Sequence, residues 1–136
     1  MKKSVKSSKK GFTLVELIVV LVILAILAAM LVPALTGYIQ RARQEKDYQM
    51  AATCLTAAQS AATYQYSLGS KGKSTITGST SCGNSVTVMD LVGDASSLVT
   101  SMSFTCNSKF IITGGSVKIN GYTYTWDAST ATWSAS

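Results

Sequence analysis

The chain of 136 residues has room for one domain plus a membrane element, and its 12 basic against 6 acidic side chains give a net charge of +6 at pH 7. It contains no His, so neither a Ser-His-Asp nor a Cys-His nucleophile pair can be assembled, and a zinc site loses its commonest nitrogen ligand. Five of the lysines, Lys2, Lys3, Lys6, Lys9 and Lys10, precede Gly11; beyond them seven basic side chains face six acidic ones, so the basicity reports topology rather than a nucleic-acid surface.

From Leu17 to Leu35 run 19 residues without a charge. As a helix they reach roughly 28 Å at ~1.5 Å per residue, about the thickness of a hydrocarbon core. The lysines crowd the N-terminal side, which holds that end in the cytoplasm and sends the remainder outward. Glu16 breaks the pattern. A bare carboxylate in a bilayer costs about 2.5–3.5 kcal/mol, and the apolar segment itself offers it no Lys or Arg. A cut between Gly11 and Phe12 would create an α-amino group about one helical turn away. The amine of a neighbouring copy would serve equally well.

The segment Gly11-Phe12-Thr13-Leu14-Val15-Glu16 resembles the processing site of type IV prepilins and the related pseudopilins, over roughly residues 1–40. The resemblance implies that a prepilin peptidase cuts after Gly11 and methylates Phe12, and that Glu16 neutralises the Phe12 amine of an adjacent subunit during filament assembly. Pro33 falls where the family commonly carries a helix-bending proline. An ordinary secretory signal cut near Val32-Pro33-Ala34 is the competing reading, but 19 residues exceed a usual h-region and an acid just inside its start would hinder it. An uncut signal anchor on an unrelated ectodomain is another.

Beyond this point the helical pattern continues. Pro33 removes a backbone donor, which costs ~3 kcal/mol in a regular helix, and Gly37 one turn later weakens the same region. A kink is expected there, and the backbone over Ala28–Gly37 is expected to loosen when a subunit leaves lipid for a filament. Ala51, Leu55, Ala58, Ala62 and Tyr66 recur at steps of three or four, an apolar stripe on a helix that runs to about Ser67. Arg41 with Glu45 and Arg43 with Asp47 are four apart and pair on the wet side.

Leu68 to Asn84 is Ser, Thr, Gly and Lys with little apolar content, a surface connection that contains an edge strand at Ser74–Thr77. Its scattered glycines, Gly69, Gly72, Gly78 and Gly83, have loop composition and form no phosphate-binding motif. Val86 to Val99 is ambiguous, with a short turn of helix expected around Met89–Val92. Val117-Lys118-Ile119 and Tyr122-Thr123-Tyr124 flank Asn120-Gly121, a strong hairpin signal. A two-residue turn sets Ile119 opposite Tyr122 and Val117 opposite Tyr124, with the apolar side chains on one face. Phe110-Ile111-Ile112, before Gly114-Gly115, supplies a further strand, and Ala131-Thr132-Trp133 another.

The expected architecture is α+β. A long N-terminal helix, membrane-spanning in its first half, carries a small antiparallel sheet of three or four strands on its second half, an arrangement that resembles the pilin fold. It divides into a leader (1–11), an assembly half (12–35), an amphipathic half (36–68) and a loop-and-sheet head (69–136). Tyr122, Tyr124, Trp126 and Trp133 are read as the buried face of the sheet rather than a binding platform.

Three cysteines allow one bond and one spare in an oxidising compartment. Closing the loop from Cys82 to Cys106 would add ~3.5 kcal/mol, and Cys54 is then a buried thiol. Connectivity stays open, since Cys54 could pair with either of the others and all three could be reduced.

The acids Glu45, Asp47, Asp90, Asp94 and Asp127 are dispersed, and neither catalysis nor a cofactor or metal is expected. The expected function is that of a structural subunit of a type IV pilus or pilus-like filament. It would be inserted in the cytoplasmic membrane N-in and then polymerised at the cell surface or across the envelope. The resemblance implies many copies of the same chain as partners, together with a prepilin peptidase, a platform protein and an assembly ATPase. A pseudopilin of a secretion or DNA-uptake apparatus is the alternative, and nucleic acid enters only there. A signal-anchored binding ectodomain that never polymerises is the rival from another class.

Overall fold

The computed structural model describes residues 11, 13–69 and 75–136. The chain forms two compact units, residues 1–42 and 43–136. The lysine-rich leader, Phe12 and Ser74, the first residue of the expected edge strand, lie outside the described residues.

Helix α1, Leu14–Ser67, contributes to both units. In the first unit it is apolar on all sides, and every described residue from Thr13 to Ala42 is exposed. Such a helix buries itself only in lipid or among other helices. It is long and apolar enough to cross a membrane. Its helical residues continue without interruption through Pro33 and Gly37. Pro33 has no N–H for the carbonyl one turn earlier, while its own carbonyl accepts the Thr36 hydroxyl at 2.9 Å.

In the second unit α1 acquires an inside and an outside. Met50, Ala51, Cys54, Leu55, Ala57, Ala58, Ala61 and Ala62 are buried, and the small side chains allow the sheet a close approach. The expected stripe is right at Ala51, Leu55, Ala58 and Ala62. It fails at Tyr66, which is 61% exposed and rests its ring near Phe110, with centroids 6.4 Å apart. On the outer face, Thr53, Thr56, Ser60 and Thr63 return their hydroxyls to carbonyls four residues back, at 2.9–3.2 Å. This satisfies side chains that would otherwise compete with the helix for its backbone.

After α1 come β1 (Thr75–Thr77), the small hairpin β2 (Ser81–Gly83) and β3 (Val86–Thr87), and α2 (Val88–Val92). A 3-10 helix (Gly93–Leu98) leads to β4 (Val99–Cys106), β5 (Ile112–Ile119), β6 (Tyr122–Asp127) and β7 (Thr132–Ala135). The main sheet is antiparallel with strand order β1-β4-β5-β6-β7. The fold is therefore α+β and pilin-like, a long apolar helix with a C-terminal antiparallel sheet.

The Asn120-Gly121 hairpin has the expected register, Ile119 opposite Tyr122 and Val117 opposite Tyr124. Both turn residues sit at positive φ, 50° and 86°, which gives the turn the hand that matches strand twist. Two readings need correction. Gly114-Gly115 does not end a strand: β5 runs through both, and the strand expected at Phe110–Ile112 is instead a loop that delivers Ile112 to its start. A Cβ on Gly115 would stand 2.7 Å from the Phe104 Cα and 2.6 Å from the Ser103 carbonyl, so the aromatic residue opposite it demands glycine. The loop is organised by Asn107, whose side-chain oxygen accepts the Lys109 and Ile111 N–H groups at 2.9 and 3.0 Å. Phe110 turns inward there with φ 58°. The second correction is β4, a whole strand between β1 and β5 that alternation had not disclosed.

Candidate processing and assembly site

Thr13 stands immediately before α1 and Glu16 in its first turn. The Thr13 N–H donates to Glu16 Oε2 at 3.3 Å, and the Glu16 N–H donates to Thr13 Oγ1 at 3.3 Å. This reciprocal pair is a capping box, in which two donors left over at a helix start find acceptors. The spacing Thr-x-x-Glu ahead of an apolar run announces it, so Thr13 was findable from sequence and was missed. Only Oε2 is used; among the described residues nothing bonds to Oε1. One oxygen thus holds the helix start.

Gly11 is exposed, and a Cβ there would meet nothing within 4 Å. Packing among the described residues does not ask for glycine at that position. Phe12 lies outside the described residues. Beyond Glu16, Leu17 to Leu35 present an unbroken apolar surface whose large side chains are each at least 50% exposed. Contiguous apolar exposure on this scale marks an interaction surface.

The head places its polar and aromatic groups differently from the expected pairs. Asp47, expected on the wet side with Arg43, is 5% exposed. Its Oδ2 accepts the Tyr124 hydroxyl at 2.7 Å and its Oδ1 the Asn120 side-chain amide at 3.3 Å. Burial first, and then the carboxylate it donates to, push the Tyr124 phenol well above its ordinary pKa. Tyr48 meets the Tyr124 ring edge-on at 5.2 Å. Of the four aromatics read as the inner face, Tyr124 is buried, Trp126 and Trp133 are half-buried and face each other across β6 and β7 at 5.3 Å, and Tyr122 is exposed.

All three cysteines are free thiols, Cys54 and Cys106 buried and Cys82 half-buried. The Cys82–Cys106 bond is not formed in this structure. Burial raises the Cys54 thiol to about 11 against an opposing backbone hydrogen bond. Burial also raises Cys106 and Cys82, the latter with help from the Asp90 charge. Thiols in that state are poor nucleophiles.

Residues 6–32 match the family model described as the prokaryotic N-terminal methylation motif. This segment is the signature of type IV prepilins and pseudopilins. The matched segment holds Gly11, Phe12 and Glu16 and extends to within one residue of Pro33, so the capping box just described lies inside it. No curated protein and no solved structure matches the chain. The match covers the N-terminal segment alone, while the head stands on its own structure.

Proposed function

We propose that the chain is the precursor of a filament subunit of the type IV pilus class, cut between Gly11 and Phe12 and methylated at Phe12. It enters the cytoplasmic membrane with the lysine-rich leader inside and the head outside, and it polymerises through α1. The observation that carries this reading is the methylation motif at residues 6–32, which runs into a helix with no buried residue between Thr13 and Ala42 among the described residues. A helix apolar on all sides is satisfied by lipid before assembly and by neighbouring helices after it.

Glu16 then has two functions. In the single chain it caps its own helix through Oε2. In the polymer its charge receives the Phe12 amine of the next subunit, which removes the cost of a bare carboxylate among apolar helices. Prepilin peptidase, a platform protein and an assembly ATPase are the partners that the motif implies.

Substitution separates the two functions. Glu16→Gln retains a side chain able to complete the capping box but carries no charge. It should leave precursor level and membrane insertion unchanged while abolishing filaments sheared from the cell surface. Glu16→Ala should do the same with some fraying of the helix start. Filaments of normal length and number from Glu16→Gln would refute the charge-pairing step, and a protein that functions normally without filaments would favour the signal-anchored ectodomain.

A further inference from the structure

Between the helix and the hairpin of the head lies a cavity of about 480 Å³, lined by Arg43, Lys46, Asp47, Leu98, Asn120 and Tyr122. The charge pattern is unusual. A buried carboxylate sits in its wall with two neutral donors, Tyr124 and Asn120, and two exposed cations line the same space. Tyr122 and Leu98 add apolar surface, 61% and 39% exposed.

The place in the chain matters as much. Leu35 closes the span that matches the hydrocarbon core, and the eight residues from there to Arg43 rise about 12 Å in a helix. On the membrane reading above, on which this inference rests, Arg43 therefore stands within headgroup reach of the outer leaflet. Cations on a translocated flank oppose the usual Lys/Arg bias, which calls for a local reason.

We propose that this cavity seats a phospholipid headgroup that joins a phosphate to a primary ammonium, of the phosphatidylethanolamine type. Arg43 and Lys46 hold the phosphate by charge-assisted hydrogen bonds. The ammonium lies against the Tyr122 ring and the remaining lone pairs of Asp47, a buried carboxylate whose hydrogen-bond donors among the described residues are the neutral Tyr124 and Asn120. An anionic headgroup without an ammonium satisfies the two cations but leaves Asp47 opposed. The seat would anchor the head at the membrane surface and release it when the subunit is withdrawn into a filament.

The full precursor in phosphatidylglycerol nanodiscs tests this, with increasing phosphatidylethanolamine and, in parallel, increasing diacylglycerol, which dilutes the bilayer without bringing an ammonium. The Asn120 side-chain amide and the Tyr122 backbone amide report by NMR. A saturable shift with phosphatidylethanolamine alone is expected, and the double variant Arg43→Gln, Lys46→Gln should raise its half-saturation about fivefold or more. Equal shifts from both additives, or an unchanged titration in the variant, would overturn the proposal. So would saturation by inorganic phosphate or glycerophosphoethanolamine at the concentration the lipid requires, since the site would then bind a soluble phosphate. Co-flotation with the nanodiscs reads insertion separately. A chain that fails to float defeats the membrane reading itself, and one that floats but shows no headgroup preference defeats only the seat.

Discussion

At Asp47 the head keeps a carboxylate inside with only neutral donors, and this residue fixes how helix meets hairpin. Tyr124→Phe removes the shorter bond and leaves Oδ2 without its donor. A loss of about 1–3 kcal/mol is expected at neutral pH, measured by urea unfolding. The sign of the pH dependence follows from the raised phenol. A group whose folded value lies above the unfolded one, about 10 for Tyr, stabilises fully below that pH and loses its contribution as pH rises toward the folded value. Wild type should therefore lose stability more steeply than Tyr124→Phe above about pH 10.

Thr87 and Asp90 form a second capping box, at the start of α2. The Thr87 N–H and hydroxyl both donate to Asp90 Oδ2 at 2.8 and 2.7 Å, and the Asp90 N–H donates back at 3.4 Å. Bonds from Thr87, the backbone one first, lower the Asp90 carboxyl. Its contribution is complete above the ordinary carboxylate range and is lost as pH falls through the lower folded value. Thr87→Ala should cost about 0.5–2 kcal/mol in thermal unfolding and return Asp90 toward its ordinary titration, followed by carboxylate NMR.

At the scale of elements, β5 shows where composition misleads. Two successive glycines read as a break, yet Gly115 lies inside the strand because Phe104 occupies the space a side chain would need. Gly115→Ala should destabilise the head by about 1–3 kcal/mol through overpacking, against a near-neutral Gly121→Asn, whose positive-φ turn position Asn tolerates.

The Asn120-Gly121 hairpin was legible because turn chemistry, alternation and register all agreed within eight residues. The edge strand at Thr75–Thr77 and the turn of helix at Val88–Val92 were legible for similar local reasons. β4 was not. Its partner β1 (Thr75–Thr77) lies far upstream in sequence, and its register with β5 shifts between Val99 and Ser101 and again between Thr105 and Cys106, which breaks the period of two that identifies a half-buried strand. The burial of Asp47 was hidden for the same reason, since its donors lie 73 and 77 residues away. A charge four residues from Arg43 looked like a surface pair until the hairpin was in place.

At the scale of the whole molecule the two units obey different physics. The core of the head, from Met50 to Tyr124, lies entirely within residues 43–136, so a chain beginning at Arg43 should fold as a soluble monomer with a cooperative melt. The full chain should require detergent or lipid. Aggregation of the shortened chain with no melt would show that the first unit contributes to the head's stability. Among the described residues the apolar half of α1 has no such core to enter, and a helix apolar on all sides is buried in lipid or among other helices.

The decisive feature is the chain terminus proposed to pair with Glu16. Mass spectrometry of the protein recovered from its native cells decides it. The expected mature chain begins at Phe12 and carries one methyl group on that amine. A chain that retains the lysine-rich leader, or one trimmed beyond Ala34, would contradict it.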